Sequence, residues 1–187
     1  GKHALVYADG VVYWMADSGG FFVYDGTVKS LPCSVEDFVF TTNNTGDLGI
    51  SFDQAKKTYA GYNTLFGEVT WYYPKSGSNV IDRNVTFNYT ENVWTTGSLA
   101  RTTYYDAQLF DHPYATEYTV TGVPTFPTIK GATNANGSTI FYEHEKGVDQ
   151  VNTSGTTAIL ANVQSGDFQL ALDGNGEFFT KIRRFSC

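Results

Sequence analysis

The stretch that decides the fold is Ala4-Leu5-Val6-Tyr7-Ala8-Asp9-Gly10-Val11-Val12-Tyr13-Trp14-Met15, continued after Ser18-Gly19-Gly20 by Phe21-Phe22-Val23-Tyr24-Asp25-Gly26-Thr27-Val28-Lys29-Ser30-Leu31. Four short apolar or alternating runs, Ala4 to Ala8, Val11 to Met15, Phe21 to Tyr24 and Thr27 to Leu31, are separated by turn residues. Asp-Gly between two such runs is a strong hairpin signal, because a type I′ turn needs positive φ at both central positions. The runs predict an antiparallel meander of about thirty residues, the size of one propeller blade.

Outward from this stretch, Pro32 interrupts the pattern. Ser34-Val35-Glu36-Asp37 has the form of an N-cap followed by a carboxylate three residues on, and Asp53 to Tyr59 also favours a helix. Residues 34–58 are therefore predicted as an insertion with one or two short helices around the loop Asn43-Asn44-Thr45-Gly46. Strands resume at Tyr59 to Tyr62, Glu68 to Tyr73, Asn84 to Tyr89 and Val93 to Ser98, and a second blade-sized unit ends near Leu99. Residues 100–150 repeat the scheme with Thr102 to Asp106, Thr116 to Thr121, a polar turn at Asn134 to Gly137, and Thr139 to His144. Later runs are Ala158 to Ala161, Phe168 to Leu172 and Glu177 to Arg184, the last two joined by Asp173-Gly174-Asn175-Gly176.

A weak internal repeat links the units: Phe22-Val23-Tyr24-Asp25-Gly26, Phe87-Asn88-Tyr89-Thr90-Glu91 and Ile140-Phe141-Tyr142-Glu143-His144. Each is an aromatic strand running into an acidic or polar turn. An isolated four-stranded sheet cannot bury both faces, so aromatic faces of this kind are expected to stack on their neighbours. The expected fold is a single all-β domain over 1–187, a β-propeller-like array of about three to four antiparallel four-stranded blades, with the 34–58 insertion. Gly1 without an initiating Met, and the abrupt end Lys181-Ile182-Arg183-Arg184-Phe185-Ser186-Cys187, read as a fragment of a longer propeller protein.

Composition agrees with short strands and tight turns, since 13 Tyr, 14 Phe, 3 Trp and 19 Gly occur in 187 residues. Hydrophobic residues at 41% and charged residues at 17% exclude a disordered chain. The net charge of −7 weighs against a general nucleic-acid binder, which needs a basic surface. No run of about 18 apolar residues and no charged-then-apolar leader is read, so a soluble protein without a membrane segment is expected. Cys33 and Cys187 lie too far apart in sequence to suggest a disulfide framework.

No catalytic, cofactor-binding or metal pattern is read. Asp17-Ser18-Gly19-Gly20 looks like the nucleophile segment of trypsin-like proteases, but Ala16 precedes it and the chain before it is too short to hold the partner residues. Asp173, Asn175 and Glu177 have the spacing of a calcium loop, yet Phe178 stands where that loop needs Gly and Arg184 where it needs Glu. His3, His112 and His144 are scattered. Glu143-His144-Glu145 is the one compact ionisable cluster; in a strand the two carboxylates would share one face and His144 the other. As a glycosidase pair, Glu143 and Glu145 would have to meet in a cleft. Exposed aromatics such as Trp71 and Tyr73 could stack on sugars or bases, although packing between blades is the favoured role. The candidate ligand or interface contacts are therefore Trp71, Tyr73, Glu143, His144 and Glu145.

Three segments carry a resemblance. They are Val12-Tyr13-Trp14-Met15 through Phe22-Val23-Tyr24-Asp25-Gly26-Thr27-Val28-Lys29-Ser30-Leu31-Pro32-Cys33, Glu68-Val69-Thr70-Trp71-Tyr72-Tyr73-Pro74, and Trp94-Thr95-Thr96-Gly97-Ser98-Leu99-Ala100-Arg101-Thr102. Together with Phe178-Phe179-Thr180-Lys181-Ile182-Arg183-Arg184-Phe185, they resemble the tail hub or nozzle proteins of short-tailed bacteriophages, the packaged-DNA-stabilisation and tail-tubular type. The resemblance implies a non-enzymatic structural protein of the virion tail, assembled in the host cytoplasm. It would form a homo-oligomeric ring with other tail subunits around the DNA channel, and assist DNA retention and ejection without sequence-specific binding. On that reading the acidic balance suggests a lumen that repels phosphates. The alternatives are a receptor- or glycan-binding tail or surface domain and, behind it, a glycoside hydrolase.

Overall fold

The computed structural model of the chain describes residues 2–41, 49–107, 110–119, 130–134, 137–145, 149–152 and 155–158. The first sheet comprises β1 (Leu5–Ala8), β2 (Val11–Met15), β3 (Phe21–Tyr24) and β4 (Val28–Leu31), paired antiparallel in chain order. Asp9 (φ 49°) and Gly10 (φ 81°) are both left-handed, as the β1–β2 turn requires. In the β3–β4 turn only Gly26 (φ 114°) is left-handed and the loop holds three residues, so the second Asp-Gly pair makes a longer turn than the first.

The 34–58 segment is helical in two short pieces. Helix α1 (Glu36–Phe40) is capped by Val35 and not by the expected Ser34, with no side-chain cap bond, and Phe52–Lys57 forms a 3-10 helix. The Asn43-Asn44-Thr45-Gly46 loop lies outside the described residues. Both helical pieces are short, as a Pro32-interrupted meander with little helix propensity allows.

The second sheet, β5 (Tyr59–Asn63), β6 (Glu68–Tyr73), β7 (Arg83–Asn88) and β8 (Val93–Gly97), repeats the meander. Every predicted strand of these two sheets is found to within one residue at each end. The third sheet departs from the scheme. Its strands β9 (Thr103–Tyr105), β10 (Tyr114–Thr119), β11 (Lys130–Asn134) and β12 (Gly137–Glu143) lie in the order β11-β12-β10-β9. The ten residues between β10 and β11 are long enough for the chain to pass the position beside β10 and return to it through the β11–β12 hairpin; a tight turn could only have continued the meander. β11 was not expected from sequence, and neither was the hairpin of β13 (Asp149–Asn152) with β14 (Gly155–Ala158); the predicted run Ala158 to Ala161 shares only Ala158 with β14 and otherwise lies outside the described residues. The predicted strands Phe168 to Leu172 and Glu177 to Arg184, with the turn between them, lie outside the described residues.

The described fold is thus almost entirely antiparallel β: three four-stranded sheets and a hairpin. The sheets are stacked through their faces, and alternation on β6 shows how. Val69, Trp71 and Tyr73 point to the first sheet and are buried, while Glu68, Thr70 and Tyr72 point to the third. On β7, Val85 and Phe87 stand opposite Trp71 and Val69, whereas Asn84 and Thr86 stand opposite Tyr72 and Thr70. The middle sheet is therefore apolar on one side and polar on the other.

The apolar seam is aromatic. Phe21 of the first sheet lies 4.8 Å from Trp71 and 4.6 Å from Trp94, ring centre to ring centre, and Phe87 is 4.7 Å from Trp94. Tilted pairs at this separation gain electrostatic edge-to-face attraction beyond burial itself. The two indoles also find acceptors across the seam, Trp71 Nε1 donating to the Ala4 carbonyl at 3.1 Å and Trp94 Nε1 to the Pro32 carbonyl at 2.9 Å. Truncation of Trp71 leaves a cavity that the stacked sheets cannot close, so Trp71→Ala should cost about 3–5 kcal/mol in urea-unfolding free energy; a loss below about 1 kcal/mol would show the seam to be loosely packed.

Candidate functional site

The polar face of β5 to β8 meets the third sheet, which holds Arg101, a residue just before β9 that is 5% exposed. Its Nε donates to His144 Nε2 at 2.9 Å and its Nη1 to the Ala100 carbonyl at 2.6 Å and to Glu117 Oε2 at 3.3 Å. The guanidinium lies 3.8 Å above the Tyr142 ring, and the Tyr142 hydroxyl donates to the same Glu117 oxygen at 2.8 Å. A buried cation is thus matched by one carboxylate, one ring face and two neutral acceptors, the condition under which it can be tolerated.

His144 is fixed by this neighbour. Because Nε2 accepts from Arg101, the ring proton sits on Nδ1, and an imidazolium would face a guanidinium. Burial and then the Arg101 charge push its pKa down to about 4. Tyr104 closes the seam, edge-on to His144 at 5.6 Å and stacked on Tyr72 at 6.1 Å. The approach is close enough that a Cβ on Gly61 would lie 2.8 Å from the Tyr104 ring.

Between the sheets remains a polar cavity of 120 Å³, with Asn63, Glu68, Thr70, Tyr104, His144 and Glu145 among its walls. Glu145 accepts from Asn63 Nδ2 at 3.3 Å. Burial, then the nearby Glu145 and Glu91 carboxylates, hold Glu68 above the ordinary carboxylate range. This volume falls below the 300–1,000 Å³ or so of sites that enclose a small ligand. Its polar walls suit a few waters.

The five sequence candidates separate on these facts. Trp71 and Tyr73, at 0% and 1% exposure, are core residues, as the favoured packing role has it; as candidate ligand contacts they are corrected, because neither offers a ring to a ligand. His144 and Glu145 do not alternate as in a continued strand. β12 ends at Glu143 and Glu145 turns left-handed (φ 58°), so both line the cavity. Glu143 instead stands opposite Tyr114, whose hydroxyl donates to it at 3.3 Å, and it does not line the cavity with Glu145. Arg101 and Glu117 were missed as a pair. The available signal was opposite charge on two neighbouring predicted strand regions of a chain poor in charge.

A second concavity lies where the first strands of the three sheets run together. β5 adjoins both β1 and β9, and the Ala60 amide donates to the His3 carbonyl at 2.7 Å. The groove they border has a volume of 930 Å³. Its charged residues are Lys2, Lys56 and Lys57, joined by His3, with no Asp or Glu among its walls. The net charge of −7 does not say which face of the molecule carries it, and this groove is locally basic. Among the described residues, no group of three or more His, Cys, Asp or Glu could hold a metal ion, and no helix is long and apolar enough to cross a membrane. The sequence matches no family model and no curated protein.

The seam predicts a pH dependence with a definite sign. With a folded pKa below the unfolded value of about 6.5, His144 takes up its proton more readily when unfolded, so its contribution is fully present above about pH 6.5 and is lost as pH falls towards 4. Glu68, shifted upward, acts in the opposite sense, favouring the folded state below its unfolded pKa. The stability difference between wild type and His144→Gln, followed by urea unfolding, should therefore shrink or reverse between pH 6.5 and 4. A difference independent of pH across that window would contradict the buried neutral imidazole.

Proposed function

We propose that this chain is a structural, non-catalytic protein of a phage tail, a hub or nozzle subunit built of propeller blades. It forms a homo-oligomeric ring with other tail subunits around the DNA channel, assembled in the host cytoplasm and retained in the virion tail. There it assists DNA retention and ejection without reading sequence. The stacked sheets, with their first strands side by side, support a reading as blades arranged about an axis.

The observation that carries the proposal is the outer face of the first sheet. Cross-strand register aligns Leu5, Trp14 and Phe22 in one row and Tyr7, Val12, Tyr24 and Val28 in the next. Leu5, Tyr7, Tyr24 and Val28 are 53%, 62%, 46% and 66% exposed, and Trp14 stacks on Phe22 at 5.6 Å. A continuous apolar sheet face of this kind marks a contact surface. In an array of blades the next sheet covers it, as the second sheet covers the opposite face. A glycan-binding role for Trp71 lacks an accessible ring, so the structural reading is preferred.

Two measurements test it. Antibodies against the protein should label virion tails, and the purified protein should have the mass of a ring; a monomer absent from virions would refute the proposal. Trp14→Glu with Phe22→Glu should leave urea stability within about 1 kcal/mol, since both side chains are on the outer face, while dissociating the assembly in native mass measurement. An intact assembly in that variant would remove the face from the interface.

A further inference from the structure

We propose that the groove bordered by Lys2, Lys56 and Lys57 is a contact site for the phosphodiester backbone of DNA. The lysines come from two segments more than fifty residues apart, the chain before β1 and the end of the 3-10 helix, and the topology brings them to one concavity. Among the described residues none of the three forms an ion pair, whereas Lys29 and Lys75 are paired with Asp25 and Asp82. Three unneutralised ammonium groups on one groove of an acidic protein form a local site for a polyanion.

Beside apolar and aromatic walls that include Leu5, Val80, Ile81 and Tyr104, part of the lining fits phosphate oxygens. Thr102, Thr103 and Asn79 bring neutral polar groups, and the side chain of Lys57 reaches across to the Asn79 carbonyl, which holds one wall in place. Lysine acts as a point charge towards phosphate and demands no particular base, which suits contact without sequence readout. At 930 Å³ and open to solvent, the groove admits a length of backbone. Elsewhere the acidic surface repels the same polymer, so the grip is confined to three charges and is weak.

The choice of DNA as the polyanion rests on the tail-channel reading; the site itself does not. Anisotropy of a labelled duplex oligonucleotide, titrated with the full chain at several salt concentrations, tests it. Three phosphate contacts predict a slope of log K against log salt of about −2.7, or about 40-fold weaker binding at 200 mM than at 50 mM salt. Replacing Lys2, Lys56 and Lys57 together by Gln should abolish binding. Replacing them by Arg should preserve it, and Lys29→Gln with Lys75→Gln should leave it unchanged.

Three results would overturn the proposal: no duplex binding, binding that survives the triple Gln variant, or preferred binding of polygalacturonate, which would assign the groove to an acidic glycan. Failure of duplex binding with virions still labelled would remove the groove alone. Duplex binding by a protein absent from virions would remove the tail reading and leave the groove.

Discussion

The packing of Phe21 between Trp71 and Trp94 is the interaction on which the rest of the structure depends. A four-stranded meander with a hydrophobic face must bury that face against another element. The first and second sheets become one body because this aromatic group is buried between them, with the indole nitrogens satisfied on the Ala4 and Pro32 carbonyls. Burial without those two acceptors would have left polar groups stranded in the densest part of the core. The same backbone contacts draw the segment before β1 against the second sheet, which places His3 beside β5 and so shapes the edge of the lysine groove.

The second seam is held differently. Where the first is made of rings, the second sheet meets a third that is held together by one buried cation, whose partners are Ala100 before β9, Glu117 on β10, Tyr142 on β12 and His144 just after it. Glu117, Tyr142 and His144 lie at fixed positions around Arg101, which ties β10 and β12 to the chain before β9. The third sheet, with its changed strand order, is registered against the second by Asn63 donating to Glu145, by the Thr64 amide donating to Asp106 and by the Tyr72–Tyr104 stack, and the low proton affinity of His144 follows from its burial and then from the Arg101 charge.

Much of this was legible in the sequence, for a physical reason. Strands β1 to β8 are delimited by turn chemistry that acts locally: Asp9-Gly10 requires left-handed backbone, and Gly and Pro residues punctuate runs whose alternation is visible. Side-chain direction on β6 follows from alternation as well, so the burial of Trp71 could be read as packing. The order of the third sheet was not legible, because strand order after a long connection is decided by tertiary contacts. Nor was the site. Arg101, Glu117 and His144 lie up to 43 positions apart and the groove's lysines come from segments more than fifty residues apart, and only the folded topology brings each set together. The Glu143-His144-Glu145 triplet shows the limit from the other side: three adjacent residues looked like one cluster, and a strand end with a left-handed Glu145 divided them between two environments.

On the proposed reading, a protein whose middle sheet is covered on both faces, and whose first sheet presents Trp14, Phe22 and Tyr24 outward, is one element of a series of stacked sheets. The groove beside its first strands adds a cationic stripe to an otherwise acidic molecule. The central claim is that the outer face of the first sheet is a packing surface between blades. An electron-microscopy reconstruction of the assembled protein, at a resolution that shows side chains, tests this most directly. It should show another sheet seated on Leu5, Trp14 and Phe22, with β1, β5 and β9 nearest the axis; an assembly in which those rings face solvent would contradict the account.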